Sequence, residues 1–176
     1  CSGRKILRTK DITDKITATD VVLHDFVSAE EKFDEFSSMF TSSYTVPGLY
    51  EGIIPQGLCY NFDMGWIIIS GYFEDAAFPS MLMILNAENG ALIKSVKLQN
   101  VDGSMYYGHA GGIASSGSYI FVTSDYSART IEVSTLAKAN DGDVVRFASD
   151  FKINTKGSFA NVYSEILWIG DFIEST

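Results

Sequence analysis

Three polar residues with ligand-binding chemistry stand at comparable places along the chain: Gln56, His109 and Lys156. Each lies one to three residues before a glycine that opens a similar segment, respectively Gly57, Gly112 and Gly157. The imidazole of His109 can ligate a metal or exchange a proton near neutral pH, while the amide and the ammonium can hold polar ligand groups. We therefore expect the three side chains to line one ligand-binding site. Structural alternatives remain open, with Gln56 bridging backbone groups and His109 held by hydrogen bonds inside the fold.

Carboxylates also recur in this pattern. Asp125 and Asp171 each follow a run of large apolar residues, and Glu51 precedes the first segment. Carboxylates that recur in register can surround a cation such as calcium, so these three residues are candidate metal ligands. The alternative is that both aspartates end strands and bind the backbone of turns. The sequence contains no phosphate loop, no HExxH helix, no Gly-x-Ser-x-Gly elbow and no CxxC pair, and we predict no catalytic residue.

The elements that must position these side chains form an internal repeat. Three quartets of large apolar residues begin 9, 7 and 9 residues after the recurring glycines, which are themselves 55 and 45 residues apart. A unit of this length is typical of a four-stranded β-propeller blade. The quartets are Trp66-Ile67-Ile68-Ile69, Tyr119-Ile120-Phe121-Val122 and Ile166-Leu167-Trp168-Ile169.

Strands can be assigned within the first two units. In the first unit we predict an inner strand, two middle strands and an outer strand at 57–60, 66–70, 81–85 and 91–98. A hairpin turn at 86–90 ends in Asn89-Gly90, a pair that supplies positive φ angles. In the second unit, we predict the third strand at 130–133 and the fourth within 144–151.

These segments resemble the blade motifs of secreted bacterial β-propeller proteins of the six-bladed type. The resemblance covers residues 50–173 and lies in Ile54-Pro55-Gln56-Gly57-Leu58, the run 66–72, the turn 86–90 and His109-Ala110-Gly111-Gly112-Ile113-Ala114. It implies an all-β fold, with ligands bound on the propeller axis where loops enter the innermost strands. Gln56, His109 and Lys156 would lie at that axial mouth.

The repeat supplies only about two and a half blades, whereas closed propellers have about four or more. An open stack of blades exposes an apolar face and unpaired strand edges. We therefore expect the remainder of the propeller as a partner, from a missing segment or from a second chain. Blades are predicted to start near 53, 109 and 153, within a partial propeller at 50–176.

The N-terminal residues lie outside the blade repeat. We predict a tether at 1–27, then a connector at 28–49 that contains a short helix at 28–40, opened by Ser28-Ala29-Glu30-Glu31. Cys1 followed by small polar residues resembles the lipid-modified cysteine of bacterial lipoproteins, which would place the protein outside the cytoplasm and attach it to a membrane only by its lipid. Two alternatives for Cys1 are a chain boundary that falls on a cysteine by chance and an N-terminal nucleophile.

Composition excludes some partners. The 176 residues are 46% apolar and carry a formal net charge of −9, which argues against binding to nucleic acid phosphates. The longest apolar run is 81–85, far shorter than the roughly 20 residues of a membrane-spanning helix. Cys59 lies in an apolar segment and is predicted to be a buried free thiol.

Two functions compete. The first is an exported, membrane-anchored, non-enzymatic propeller module that binds a small ligand, glycan or peptide. The second is a calcium-dependent hydrolase resembling six-bladed lactonases and esterases, which would hold the metal with Glu, Asn and Asp. The asparagines expected at the inner strands are replaced by Gln56, Gly111 and Lys156, and the lysine would repel a cation. The sequence favours binding, with calcium as the one cofactor to consider.

Overall fold

The computed structural model describes residues 46–49, 51–74 and 78–173. Cys1, the predicted tether and the predicted helix at 28–40 lie outside these residues. No helix in the described ranges has the length and apolar character needed to cross a bilayer.

The described residues form eleven strands and one short helix. In chain order they are β1 (Ile53–Asn61), β2 (Trp66–Phe73), β3 (Met81–Asn86), β4 (Leu92–Gln99), β5 (Gly112–Ser115), β6 (Tyr119–Ser124), β7 (Ser127–Glu132), α1 (Val133–Lys138), β8 (Val144–Arg146), β9 (Ser149–Lys152), β10 (Phe159–Tyr163) and β11 (Ile166–Gly170).

The strands form three sheets that follow one another as propeller blades. The first blade has the order β1-β2-β3-β4-β8, the second β5-β6-β7-β9 and the third β10-β11. The innermost strands β1, β5 and β10 pack side by side, β1 against β5 and β5 against β10. The predicted fold class is confirmed: the protein is an all-β partial propeller.

The first blade contains the four predicted strands, but β1 begins four residues earlier and β2 ends three residues later than predicted, and the hairpin turn also differs. Gly90 has a φ of 69°, but Asn89 does not adopt a positive φ. The Gly90 amide donates to the Asn86 carbonyl at 2.8 Å, and the Asn86 side chain accepts from the amide of Glu88 at 2.8 Å. A longer turn with a single left-handed glycine therefore closes this hairpin, rather than a two-residue Asn-Gly turn.

The segment 144–151, predicted to contain the fourth strand of the second blade, does contain most of that strand, β9, but its first part belongs to the first blade. β8 pairs in parallel with β4 as a fifth strand of the first blade, and β9 pairs with β7 in the second. The chain crosses between the sheets at buried Phe147, whose amide donates to the Gln99 carbonyl at 2.9 Å. The next amide, that of Ala148, donates to Thr130 of the second blade at 2.7 Å. Consequently β4 is not the outer strand of its blade.

The third strand of the second blade was predicted at 130–133, but it begins three residues earlier and ends one residue earlier. β7 ends at Glu132, and Val133 begins α1. Val133 and Leu136 are both buried, which is the i, i+3 spacing of one helix face. The ammonium of Lys94 in β4 donates to the carbonyls of Leu136, Ala137 and Ala139 at 2.6, 3.2 and 2.8 Å. This contact ties the end of α1 to the first blade.

Two apolar clusters pack against the sheets of the first two blades. The larger lies between the first and second blades and includes Ile68 and Ile84 from one side and Ile120 and Ile131 from the other. The smaller covers the opposite face of the first blade. The third blade differs, because Phe159, Tyr163, Ile166 and Trp168 remain more than half exposed.

A hydrogen bond between a hydroxyl and a carbonyl recurs at both blade junctions. Ser70, which pairs with Gly57 across β1 and β2, donates to the Ala110 carbonyl at 2.8 Å. Thr123, which pairs with Gly112 across β5 and β6, donates to the Gly157 carbonyl at 2.9 Å. The two accepting residues both have positive φ, 51° and 76°. Each blade therefore fixes the backbone that leads into the inner strand of the next.

Glycine at the inner strand allows this close approach. A Cβ on Gly112 would lie 2.6 Å from the Phe159 carbonyl carbon and 2.7 Å from the Ala160 nitrogen, both in β10. A Cβ on Gly57 would lie 3.0 Å from the Ile113 nitrogen in β5. In the third blade the corresponding pair is Phe159 opposite Gly170, with the glycine on the other strand.

Candidate functional site

A cleft of about 280 Å³ opens where the inner strands of the three blades begin. We call it the mouth cleft. Its volume falls at the lower end of small-molecule sites, which run from about 300 Å³ upwards. The residues that line it come from all three blades: Gln56, His109, Gly111, Ser124, Asp125, Tyr126, Lys156, Gly157 and Ser158.

The structure brings the three predicted ligand-binding residues together in this cleft. Gln56 is the extra residue of a β-bulge in β1 and is exposed. Among the described residues its amide nitrogen donates only to the neighbouring Pro55 carbonyl, at 3.2 Å, and bridges no two blades. A bulge re-aims a side chain out of the strand, which leaves the amide oxygen of Gln56 available to the cleft. The role of Gln56, His109 and Lys156 in binding stays a prediction.

His109 is exposed in the loop before β5. Its ring packs edge-on against Tyr72 of β2, with ring centroids 4.6 Å apart and planes at 71°. This T-shaped contact is a favoured aromatic geometry and restricts the imidazole orientation. The next residue, Ala110, is fully buried and accepts the hydrogen bond from Ser70. His109 is therefore an exposed side chain on a fixed backbone.

The hairpin turn between β6 and β7 supplies a carboxylate and an aromatic ring. Asp125 and Tyr126 are its two central residues, with φ of 54° and 59°, as a type I′ turn requires. The Asp125 carboxylate accepts the Ser124 hydroxyl at 2.7 Å. Two backbone hydrogen bonds fix the turn to the segment before β10: Tyr126 donates to Lys156 at 3.4 Å, and Ile153 donates to Tyr126 at 3.0 Å.

The buried side chain of Arg129 holds this turn in place through a hydrogen bond. Arg129 donates to the Ser124 carbonyl at 3.3 Å and lies 3.3 Å from the Asp150 carboxylate. Its guanidinium stands 4.8 Å from the centre of the Tyr106 ring. Burial raises the pKa of Tyr106, so its phenol stays neutral, and the phenol oxygen accepts the Ala110 amide at 3.4 Å. Arg129 and Tyr106 do not line the mouth cleft, but they hydrogen-bond to Ser124 and to Ala110, which lie in the two loops that do.

The predicted metal ligands do not share one cavity. Asp125 lines the mouth cleft, whereas Asp171 lines a neighbouring cavity of about 520 Å³ with Lys156, Phe172 and Ile173. Asp171 accepts from the Thr155 hydroxyl at 2.8 Å and the Gly157 amide at 3.0 Å, the turn-binding role that was the alternative. Glu51 precedes β1 and lines neither cavity.

Within the described ranges, no three His, Cys, Asp or Glu side chains group closely enough to hold a metal ion. A calcium site at the axis stays a prediction.

Sequence reasoning missed Ser124 and Tyr126 in the cleft. The predicted strand order could have located them, because antiparallel strands reverse direction at each turn. The start of β5 and the end of β6 must therefore lie at the same end of the blade. The sequence pattern predicts Asp125 only as a possible metal ligand and indicates no role for Tyr126.

The fold and this cleft define an all-β partial propeller with a candidate binding mouth. No known protein family matches the chain, and no curated protein matches it. Among solved structures it is similar to hydrazine synthase of Kuenenia stuttgartiensis, at 10% identity and a TM-score of 0.41 over 63% of this chain. It is also similar to the β-propeller domain of Myceliophteria thermophila Cps50 (Swd1), at 9% identity and a TM-score of 0.36 over 62% of this chain.

The chain spans 26% and 30% of the length of these two structures. Similarity at these values assigns neither a family nor an activity to this protein.

Proposed function

We propose that this chain is the ligand-binding, non-enzymatic part of a β-propeller protein and that its ligand occupies the mouth cleft. One observation carries the proposal: Gln56, His109, Asp125 and Lys156, from three separate blades, converge on one cleft. A few convergent polar groups in a concave site are the usual signature of small-molecule binding. At about one water molecule per 30 Å³, the cleft holds roughly nine waters, which suits a ligand the size of an amino acid or a monosaccharide.

The one cysteine among the described residues does not line the mouth cleft. Cys59 lies in the core between the first two blades, and burial raises the pKa of its thiol to about 12. A thiol with that pKa is not a nucleophile at neutral pH.

The test is a binding screen on the protein isolated from its source, using free amino acids, dipeptides and neutral monosaccharides. Any ligand found is then titrated against Gln56→Ala and His109→Ala, each expected to weaken binding several-fold. Lys138→Met, an exposed residue in the last turn of α1, is the control and should leave affinity unchanged. A ligand that binds Gln56→Ala and His109→Ala as tightly as the native protein would contradict the proposal.

Export is proposed on the resemblance of the blade motifs to secreted bacterial propellers, with anchoring through a lipid on Cys1. Mass spectrometry of the N-terminal peptide from the native protein tests the anchor. Acyl chains on Cys1 would support it, and an unmodified Cys1 peptide would contradict it.

We also propose that further blades cover the open face of the third blade. In the described part of the chain, β11 pairs only with β10, whereas the equivalent strands β2 and β6 each pair on both sides. Trp168 and Tyr163 are 57% and 71% exposed on that face. The equivalent residue of the first blade, Ile68, is buried against the second blade, which covers the corresponding face.

A further inference from the structure

The mouth cleft is lined by two side chains of opposite charge. Lys156 and Asp125 both line it and both are exposed. Within the described residues they form no ion pair, and the Asp125 carboxylate accepts only the neighbouring Ser124 hydroxyl. Both charges therefore remain available to a ligand.

Backbone contacts hold the two charged residues in place. The turn that carries Asp125 accepts a hydrogen bond from Ile153 and donates one to the carbonyl of Lys156 itself. On the other side of Lys156, Gly157 is fixed by the Thr155 hydroxyl at 3.1 Å and by Asp171 at 3.0 Å. The backbone spacing between the positive and negative groups is thus set by the fold before any ligand binds, and a pre-set spacing reduces the entropy lost on binding.

From this arrangement, and resting on the proposed function, we propose that the ligand is a small zwitterion, a free amino acid or dipeptide. Its ammonium pairs with Asp125 and its carboxylate with Lys156. A dipeptide spans up to about 7 Å when extended, so its two terminal charges can reach two side chains on adjacent loops. Tyr126, 52% exposed beside Asp125, offers a ring surface for a ligand side chain.

The probe is glycyl-tyrosine, compared with its N-acetyl derivative, which lacks the ammonium, and its C-terminal amide, which lacks the carboxylate. Affinities are measured by calorimetry on the protein isolated from its source and on Asp125→Asn and Lys156→Met variants. We expect glycyl-tyrosine to bind about two- to five-fold more tightly than either derivative, the range of a solvent-exposed ion pair. Asp125→Asn should remove the preference over the N-acetyl form only, and Lys156→Met the preference over the amide only.

Matched controls are Asp63→Asn, in the exposed turn between β1 and β2, and Lys138→Met, on α1. Both should keep the full preference. Equal affinity for the three probes, or a preference that survives both cleft variants, would overturn the zwitterion assignment. A neutral sugar whose binding depends on Gln56 and His109 but not on the two charges would overturn it while leaving the proposed function standing. Failure of every small ligand to bind would overturn both.

Discussion

Burial controls the chemistry of Cys59. Its thiol is 9% exposed in the core, and desolvation raises its pKa from 9.0 to about 12. We expect iodoacetamide to leave Cys59 unmodified in the native protein and to alkylate it once the chain is unfolded, as read by mass spectrometry of its peptide. Alkylation of native Cys59 at the rate of a free thiol would contradict this.

The same thiol makes stability depend on alkaline pH. Because the pKa is higher in the folded protein, the stabilising contribution is complete below pH 9 and is lost as the pH rises towards 12. Between pH 8 and 10.5 the native protein should lose about 2 kcal/mol more unfolding free energy than Cys59→Ala. Urea unfolding at the two pH values measures the difference. Burial also raises the pKa of Tyr106, but that residue is shared by both proteins and its effect cancels.

Lys94 is a buried cation that connects the first blade to the end of α1. Desolvation lowers the pKa of its ammonium and nearby Asp143 partly opposes this, while three carbonyls at the end of α1 accept hydrogen bonds from it. Lys94→Met retains the apolar stem but leaves those carbonyls without their donor, and we expect a loss of about 2 to 4 kcal/mol in unfolding free energy. Chemical denaturation measures it beside Lys138→Met, which should be neutral. A stable Lys94→Met protein would show that the contact contributes little.

At the scale of elements, the repeated hydroxyl-to-carbonyl hydrogen bond should hold adjacent blades together. Thr123→Val keeps the shape of the side chain but removes the donor to the buried Gly157 carbonyl. An unsatisfied buried acceptor costs about 1 to 3 kcal/mol, so unfolding free energy should fall by that amount. Thr123→Ser, which keeps the hydroxyl, should recover most of the loss. Equal stability of the Val and Ser variants would show that the bond is not what matters at this position.

The middle strands of the first blade, β2 and β3, were predictable because each contains a continuous run of large apolar residues. Trp66 to Ile69 is a continuous apolar quartet, and its strand is largely buried on both faces. The split of residues 144–151 was not predictable in this way. β8 has only three residues and pairs with β4, which lies 45 residues or more earlier, so its partner is chosen by tertiary contacts rather than by local pattern.

The positions of Gln56, His109 and Lys156 followed from their spacing before the recurring glycines. Their convergence also depends on features with no local signature. The turn at Asp125 and Tyr126 places two ordinary side chains in the left-handed region, without the glycine that usually marks such a turn. The hydrogen bonds from this turn to Ile153 and Lys156 link residues about 30 positions apart.

For the whole molecule, the two tryptophans report whether further blades cover the third one. Trp66 is buried and Trp168 is 57% exposed. In a Trp66→Phe background the emission comes from Trp168 alone. If further blades cover it, its fluorescence in the native protein should be blue-shifted and protected from acrylamide, and both effects should be absent from the isolated 176-residue chain. Equal quenching in the two samples would contradict the assembly.

The mouth cleft as a binding site is the central claim, and His109 offers the most direct measurement of it. The chain has only two histidines, so in a His24→Gln background the imidazole signals in a ¹H–¹⁵N NMR spectrum come from His109. Titration with a ligand found in the binding screen should shift these signals, and the dissociation constant obtained from the shifts should equal the one obtained by calorimetry. Gln56→Ala should raise both dissociation constants by the same factor. Saturable binding with the His109 signals unchanged would place the ligand elsewhere and contradict the account.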